Sequence, residues 1–138
     1  MKILLLIRTL VLSLLFILSS QQGYADHFQG HVQVEIRYLS EKEQQGQTAF
    51  NNYCAKCHGD NASGTRKGPP LIHDIYNPGH HSNRSFYSAV RKGVSQHHWP
   101  YGDMPAQKQV SFSEMGLIVQ FIRTVQKQNG IQERTHTM

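Results

Sequence analysis

The sequence lacks a clustered run of basic residues and any recognisable nucleic-acid-binding motif, so a nucleic-acid partner is not expected. It also has no second long apolar run after Leu18, and 38% hydrophobic with 17% charged residues is ordinary for a soluble protein. Neither a disordered chain nor a multi-span membrane protein is indicated. No internal repeat is visible, and 138 residues give room for one domain.

Residues 1–25 have the pattern of a secretory signal peptide. Lys2 and Arg8 give a positive start, Leu10 to Leu18 is a nearly unbroken apolar run, and small residues precede a cleavage site after Ala25. We expect cleavage there, which lowers the formal net charge from +5 to +3, and export to the periplasm. An uncleaved membrane anchor is the alternative, although the apolar stretch is short for a bilayer-spanning helix. No cysteine lies near the cleavage point, which excludes a lipid-modified anchor.

Residues 26–45 form an N-terminal arm. Alternate residues between 32 and 36 are apolar, which is strand-like spacing, but no partner strand is evident. Ser40 and Glu43 make a capping-box pattern, which predicts a helix from about Glu41 to Cys54. The alternating apolar residues are Val32, Val34 and Ile36.

Two long loops flank a second helix. Residues 59–81 are rich in Gly, Pro, Asn and Ser and lack a helical period, and 94–110 form another loop. Between them a helix is predicted from Asn83 to Lys92, with Gly93 as its C-terminal cap. Three apolar residues share one face of this helix: Phe86, Ala89 and Val90.

The last helix is the clearest element of the sequence. Ser111 and Glu114 form a second capping box, Val110 can pack on Met115, and Asn129-Gly130 ends the helix. One buried face follows the 3.6-residue period, with Met115, Ile118, Val119, Ile122 and Val125. The prediction is an all-α protein whose three helices make a thin core, so a large apolar component is missing from the chain itself.

The two cysteines of the chain lie in the segment Cys54-Ala55-Lys56-Cys57-His58, which is the attachment signature of haem c. Two thiols on one helical turn can reach both vinyl groups of a haem and form thioethers. The next residue, His58, is then carried beneath the iron as its proximal ligand. One covalently bound haem would also supply the missing apolar bulk.

A structural disulfide, a thioredoxin-like centre and a zinc site are the alternatives for this pair. An oxidising compartment permits a disulfide, although cysteines at this spacing are mostly redox or metal sites. A thioredoxin-like centre needs a βαβ context, which is not predicted, and the scattered histidines offer no clear second ligand pair for zinc. The histidine that follows the second cysteine favours haem.

Met104 is the candidate for the sixth iron ligand. It lies 46 residues after His58, in a loop, and Pro105 stiffens the backbone that follows. Met115 on the last helix is assigned to the core instead. Histidine and methionine together raise the reduction potential of a haem. They also fill both axial positions, which predicts an electron carrier and not an enzyme.

With these features the sequence resembles the class I cytochromes c of the bacterial periplasmic type, a monohaem family with a Cys-X-X-Cys-His motif and a C-terminal methionine ligand. The resemblance covers roughly residues 46–128. It implies a class I cytochrome c fold of three or more helices with long loops around one haem, whose exposed edge passes electrons. The chain would then divide into a signal peptide (1–25), an arm (26–45), a cytochrome c domain (46–128) and a C-terminal tail (129–138).

Further positions fit this family. Gly46, Phe50 and Cys54 are spaced like its first helix, which crosses the last helix at places matched by Ile118 and Phe121. In the family such a crossing joins small and aromatic residues.

The segment Gly68-Pro69-Pro70-Leu71 resembles the family's loop after the haem site. This implies that the Pro69 carbonyl accepts a hydrogen bond from His58 and that Leu71 packs on the haem. Trp99 is interpreted in two ways, either as a donor to a haem propionate through its indole N–H or as a cover over the haem.

Nine histidines are many for such a chain. The pairs His80-His81 and His97-His98 flank the predicted site, and one of these in place of Met104 would give bis-His ligation. Other residues in the arm and tail have side chains that suit copper or are simply solvated: His27, His31, His136 and Met138.

The leading functional prediction is a monomeric electron shuttle between redox proteins, with a dehydrogenase or respiratory complex as donor and an oxidase or reductase as acceptor. Alternatives are the cytochrome subunit of a periplasmic dehydrogenase or reductase, a copper-handling haem protein, and an enzyme with an open iron. A membrane is involved only if the signal is uncleaved. Four cationic residues near the predicted haem either steer an acidic partner or form a scattered solubilising surface: Lys56, Arg66, Lys67 and Lys108.

Overall fold

The structure is a computed structural model that describes residues 31–134. The predicted signal peptide, His27, His136 and Met138 lie outside the described residues. Within the described range the chain forms four α-helices and two short 3₁₀-helices, without a β-strand. This confirms the predicted all-α class.

The helices follow the sequence prediction closely. They are α1 (Glu41–Tyr53), α2 (Ala55–His58), α3 (Asn83–Lys92) and α4 (Phe112–Gln128), with 3₁₀-helices at Asp60–Ala62 and Asp74–Tyr76. The separate short helix α2, which starts after a break at Cys54, was not predicted. No helix in the described part of the chain has the length and apolar character needed to cross a membrane.

Both predicted capping boxes are present. The Ser40 amide donates to the Glu43 carboxylate at 2.7 Å, and the Ser111 amide donates to Glu114 at 2.9 Å. Glu43 also accepts a hydrogen bond from the Thr124 hydroxyl of α4. This bond is the largest cause of the lowered pKa of Glu43, and the hydrogen bonds from Ser40 lower the pKa further. The cap of α1 is therefore also a contact between α1 and α4.

Helices α1 and α4 cross in close contact at Gly46. A Cβ atom on Gly46 would lie 2.1 Å from the backbone oxygen of Leu117 and 3.0 Å from Cβ of Phe121, so only glycine fits. One turn further along α1, the ring of Phe50 packs on Phe121 with centroids 6.0 Å apart. The crossing confirms the prediction that Phe121 meets α1. Ile118 is buried as well and lines the cavity described below.

From residue 31 to residue 40 the arm has no regular secondary structure, so it is not a strand. Its alternating apolar side chains are half-buried against the core, as the spacing suggested. The backbone bonds to side chains at the end of α4: Glu35 exchanges two hydrogen bonds with Asn129, at 3.0 and 2.8 Å, and the Arg37 amide donates to Gln128 at 2.9 Å. These side chains supply the pairing that a neighbouring strand would otherwise provide.

The long loop after α2 is held to α4 by two polar residues that sequence patterning did not single out. The buried Gln126 amide donates to the carbonyl oxygens of Leu71 and Tyr76, at 2.8 and 3.1 Å. Arg123 donates to the Tyr76 carbonyl at 2.8 Å and to the His81 carbonyl. We call these contacts the α4 tether. It fixes one wall of the site, because apart from two short 3₁₀-helices the loop has no regular structure of its own.

Candidate haem site

A cavity of about 340 Å³ lies between α3, α4 and the two long loops. Its wall is mainly apolar, and the side chains that α3 and α4 contribute include Phe86, Ala89, Val90, Met115, Ile118, Val119 and Ile122. Six of the seven site residues expected from the sequence line this one cavity: Cys54, His58, Pro69, Leu71, Trp99 and Met104. The exception is Cys57, whose side chain is exposed.

His58 ends α2 and is oriented by the loop that follows it. Its Nδ1 atom lies 2.9 Å from the Pro69 carbonyl oxygen, the hydrogen bond implied by the family resemblance. A carbonyl only accepts, so Nδ1 carries the proton and Nε2 keeps its lone pair. Burial lowers the pKa of His58, although the bond to Pro69 opposes this shift. The ring is therefore a neutral imidazole, suited to bind a metal.

The two cysteines flank the start of α2 and are not bonded to each other. Burial raises the pKa of the Cys54 thiol to about 11, and its proximity to Cys57 adds to the rise. A reactive thioredoxin-like cysteine has a lowered thiol pKa, so the raised pKa of Cys54 argues against such a centre. Behind the motif, a Cβ on Gly68 would lie 2.9 Å from the Cys57 carbonyl oxygen, so glycine allows the loop to pack against it.

Met104 is fixed by its backbone on another side of the cavity. It forms an isolated antiparallel bridge with Val94, in which each amide donates to the other's carbonyl at 2.9 Å. Gly93, with φ of +79°, packs so closely that a Cβ there would lie 2.6 Å from the Met104 carbonyl oxygen. The sequence predicted a loop here, and this bridge is the feature that it missed.

Trp99 lines the cavity between aromatic neighbours. Its ring stacks on Tyr101 at 6.1 Å and meets the edge of His73 at 5.2 Å. The indole Nε1 is buried and has no partner with hydrogen-bond geometry, although the N–H lies close enough to Tyr76 to counter part of the rise in that residue's pKa. Burial is the main reason why the pKa of Tyr76 is raised to about 12. A buried N–H without a partner fits a site that receives a ligand with acceptor oxygens.

Four histidines gather at the edge of this cavity. His81, His97 and His98 line it, whereas His80 contacts His81 and His98 without lining the cavity. The rings of His97 and His98 lie 4.3 Å apart and those of His80 and His98 5.2 Å apart. Sequence reasoning treated these histidines as two separate pairs, since loops give no signal of which residues meet.

Gln126 and Arg123 are the positioning residues that sequence reasoning missed. Both act on the cavity wall through the carbonyl of Tyr76, and Arg123 also lies 4.8 Å from the centroid of the Phe86 ring. A signal was present, because Gln126 is four residues after Ile122 and therefore continues the buried face of α4. A polar residue on such a face indicates a buried hydrogen-bond partner.

The residues present fit a covalent haem. His58, Met104 and Cys54 line the same apolar cavity, Cys57 follows Cys54 by three residues, and the buried indole N–H of Trp99 has no hydrogen-bond partner. These residues carry the donor atoms of a His/Met haem site. His31 is exposed on the arm and lies outside the cavity lining.

Comparison with known proteins identifies the family. The family model for cytochrome c matches residues 43–126, more than half of the chain, and this span includes the cavity-lining residues named above. No curated protein matches the sequence. The matched span begins close to the start of α1 and ends close to the end of α4. The chain therefore belongs to the cytochrome c family, whose members bind haem c covalently and transfer electrons without being enzymes.

Proposed function

We propose that the protein is a periplasmic monohaem electron carrier. Cys54 and Cys57 would attach haem c through thioether bonds, and His58 and Met104 would be the axial ligands of its iron. The observation that carries this proposal is the placement of His58 and Met104 on one apolar cavity, each fixed by backbone hydrogen bonds. Haem supplies a centre that gains and loses one electron.

The chain contributes ligands that do not need to rearrange. The Pro69 carbonyl holds His58 in the tautomer that leaves Nε2 free, and it increases the basicity of the ring. The bridge to Val94 holds the backbone of Met104 in place. Residues held in this way would bind the iron with little movement of the chain between oxidation states. With both axial positions taken by His58 and Met104, no open position would remain for a substrate, which suits a carrier.

The cysteines attach the cofactor. Each thiol would add across one vinyl group, with the sulfur bonding to one carbon and the hydrogen to the other, so that no leaving group is formed. Cys54 lines the cavity and Cys57, three residues later, is exposed, so the pair would give the haem two attachment points. The raised pKa of Cys54 keeps this thiol protonated at neutral pH before attachment.

The exposed cations near the attachment motif would steer a partner. Lys56 lies between the two cysteines, and Arg66 and Lys67 occupy the turn between Thr65 and Gly68. All three are exposed, as is Lys108 beyond the methionine bridge. Their charge favours redox proteins with an acidic docking surface, a contact that salt would weaken.

The ligand assignment is tested with the same substitution at two methionines that both line the cavity. Met104→Leu should abolish the sulfur-to-iron charge-transfer band at the red end of the ferric spectrum and lower the midpoint potential. Met115→Leu should keep both the band and the potential, because leucine preserves volume in the core.

A wild-type protein without the band, or one that binds carbon monoxide readily, would contradict the assignment of Met104. Loss of the band in both variants would also contradict it, since it would show a general disturbance of the cavity. Loss only in Met115→Leu would assign the ligand role to Met115.

A further inference from the structure

Three histidine side chains converge on one point at the mouth of the cavity. His80 and His81 come from the loop before α3, and His98 comes from the loop after it. One ring nitrogen from each of the three lies within 4.8 Å of the other two. The Nε2 atoms of His80 and His98 are 3.3 Å apart.

These separations suit a metal ion. Nitrogens bound to a tetrahedral ion at about 2.1 Å lie roughly 3.4 Å from one another. The distance of 3.3 Å between the Nε2 atoms of His80 and His98 is close to this value, and the third ring nitrogen lies within 4.8 Å of both. We propose that His80, His81 and His98 bind one divalent transition-metal cation of the zinc and copper class, at a site separate from the haem iron.

His81 has the outer partner that metal-binding histidines usually have. Its Nδ1 donates to the Ile75 carbonyl at 2.7 Å, which fixes the tautomer and leaves Nε2 for the metal. Burial, together with the three neighbouring histidines, lowers the pKa of His81. Burial and the neighbouring His97 and His80 likewise lower the pKa of His98. Neutral rings present the lone pairs that a cation needs.

The backbone on both sides of the cluster is held in place. The amides of His80 and His81 donate to the carbonyl of buried Asn77, at 3.1 and 2.8 Å. Arg123 also donates to the His81 carbonyl. Such fixed ligands lower the cost of ordering a site when an ion binds.

The loop that carries His98 is held equally well. The Gln96 amide donates to Asp103 at 2.8 Å, and the Gly102 amide donates to the Gln96 side chain at 2.6 Å. His98 itself is exposed, so an ion can enter from solvent without passing through the cavity.

His97 provides a matched control. It lies beside the cluster, with its ring 4.3 Å from that of His98, but its ligating atoms lie outside the group of three. Its Nδ1 donates to the Ser95 carbonyl at 2.8 Å. Both residues are exposed, so replacing either one leaves the core intact.

The site is tested by calorimetric titration of the haem-loaded protein with Zn²⁺, which is redox-inert and cannot oxidise the haem. We expect one equivalent to bind to wild type, with affinity at least tenfold weaker in His98→Ala and changed less than threefold in His97→Ala. His80→Ala should match His98→Ala. An unchanged far-ultraviolet circular dichroism spectrum in each variant verifies that the fold is retained.

The absence of saturable Zn²⁺ binding would overturn the proposal, and so would equal affinity in wild type and His98→Ala. A loss in His97→Ala as large as in His98→Ala would also contradict the assignment of the three ligands.

A second measurement uses the potential of the haem and therefore rests on the proposed function. Because His81 and His98 also line the cavity, a bound cation would lie near the haem and favour its reduced form. Zn²⁺ should raise the midpoint potential of wild type and leave that of His98→Ala unchanged. A chain that lacks haem but still binds Zn²⁺ would refute the carrier function alone.

Discussion

The crossing of α1 with α4 and the loops around the cavity are stabilised by different kinds of contact. The crossing is made by Gly46 and Phe50 of α1 against Leu117 and Phe121 of α4, a contact set by close packing. The loop after α2 depends on the α4 tether, in which polar side chains donate to backbone carbonyls across more than 40 residues of sequence.

This difference separates scaffold from site. Packing at the crossing is intolerant of added atoms, because a backbone oxygen cannot move without shifting the helix. The tether is sensitive to lost donors instead, because the carbonyls of Leu71 and Tyr76 would remain without their partner. The crossing should therefore control global stability, and the tether the shape of the cavity wall.

The largest effect is expected from one extra methyl group at the crossing. Gly46→Ala places a Cβ 2.1 Å from the Leu117 oxygen and should destabilise the fold by about 3 kcal/mol. Gly116→Ala is the control, because its Cβ meets only the Tyr87 hydroxyl at 3.4 Å. The control should stabilise α4 by about 0.5–1 kcal/mol, since alanine is the better helix former. Denaturant unfolding measures the free energy of unfolding of both variants. A change in the same direction in both would contradict this prediction.

A smaller effect is expected from cutting the tether. Gln126→Leu leaves two carbonyls with fewer donors and should cost about 1–2 kcal/mol. Gln120→Leu, on the exposed face of the same helix, should change stability by less than about 0.5 kcal/mol. Hydrogen exchange should increase in the loop after α2 and remain unchanged at the crossing. Faster exchange at the crossing instead would show that the two regions are not separable.

The smallest effect distinguishes the regions by pH. Hydrogen bonds from Thr124 and Ser40 lower the pKa of Glu43 below its ordinary value of 4.5. The carboxylate therefore contributes stability above that pH, and the contribution is lost as the pH falls through the lower folded-state pKa. The Gln126 amide has no charge to lose in acid. Acid should therefore destabilise the crossing before the tether. In Glu43→Gln, the free energy of unfolding should fall less steeply at low pH than it does in wild type. An unchanged acid limb in this variant would count against the account.

The helical part of the fold was predictable because its signals are local. Capping boxes at Ser40 and Ser111 placed the starts of α1 and α4, and periodic apolar residues placed the buried face of α4. The bounds of α3 match the prediction from its apolar face and Gly93. In each case the residues that predict the helix lie in the helix itself or directly beside its ends.

The walls of the site were only partly predictable. The haem motif, the bond between His58 and Pro69, and the place of Met104 on the cavity followed from spacing and family resemblance. The tether and the histidine cluster did not, because both join residues far apart in sequence through loops without periodicity. Hydrogen bonds such as that from Gln126 to Leu71 are fixed only when the whole chain folds.

The most direct test of the central claim is the intact mass of the purified protein under denaturing conditions, measured for wild type and for a variant with both Cys54 and Cys57 replaced by alanine. Wild type should carry the mass of one haem, which acid and organic solvent do not extract, and the variant should not. A folded, colourless wild-type chain with free or mutually bridged thiols would contradict the account.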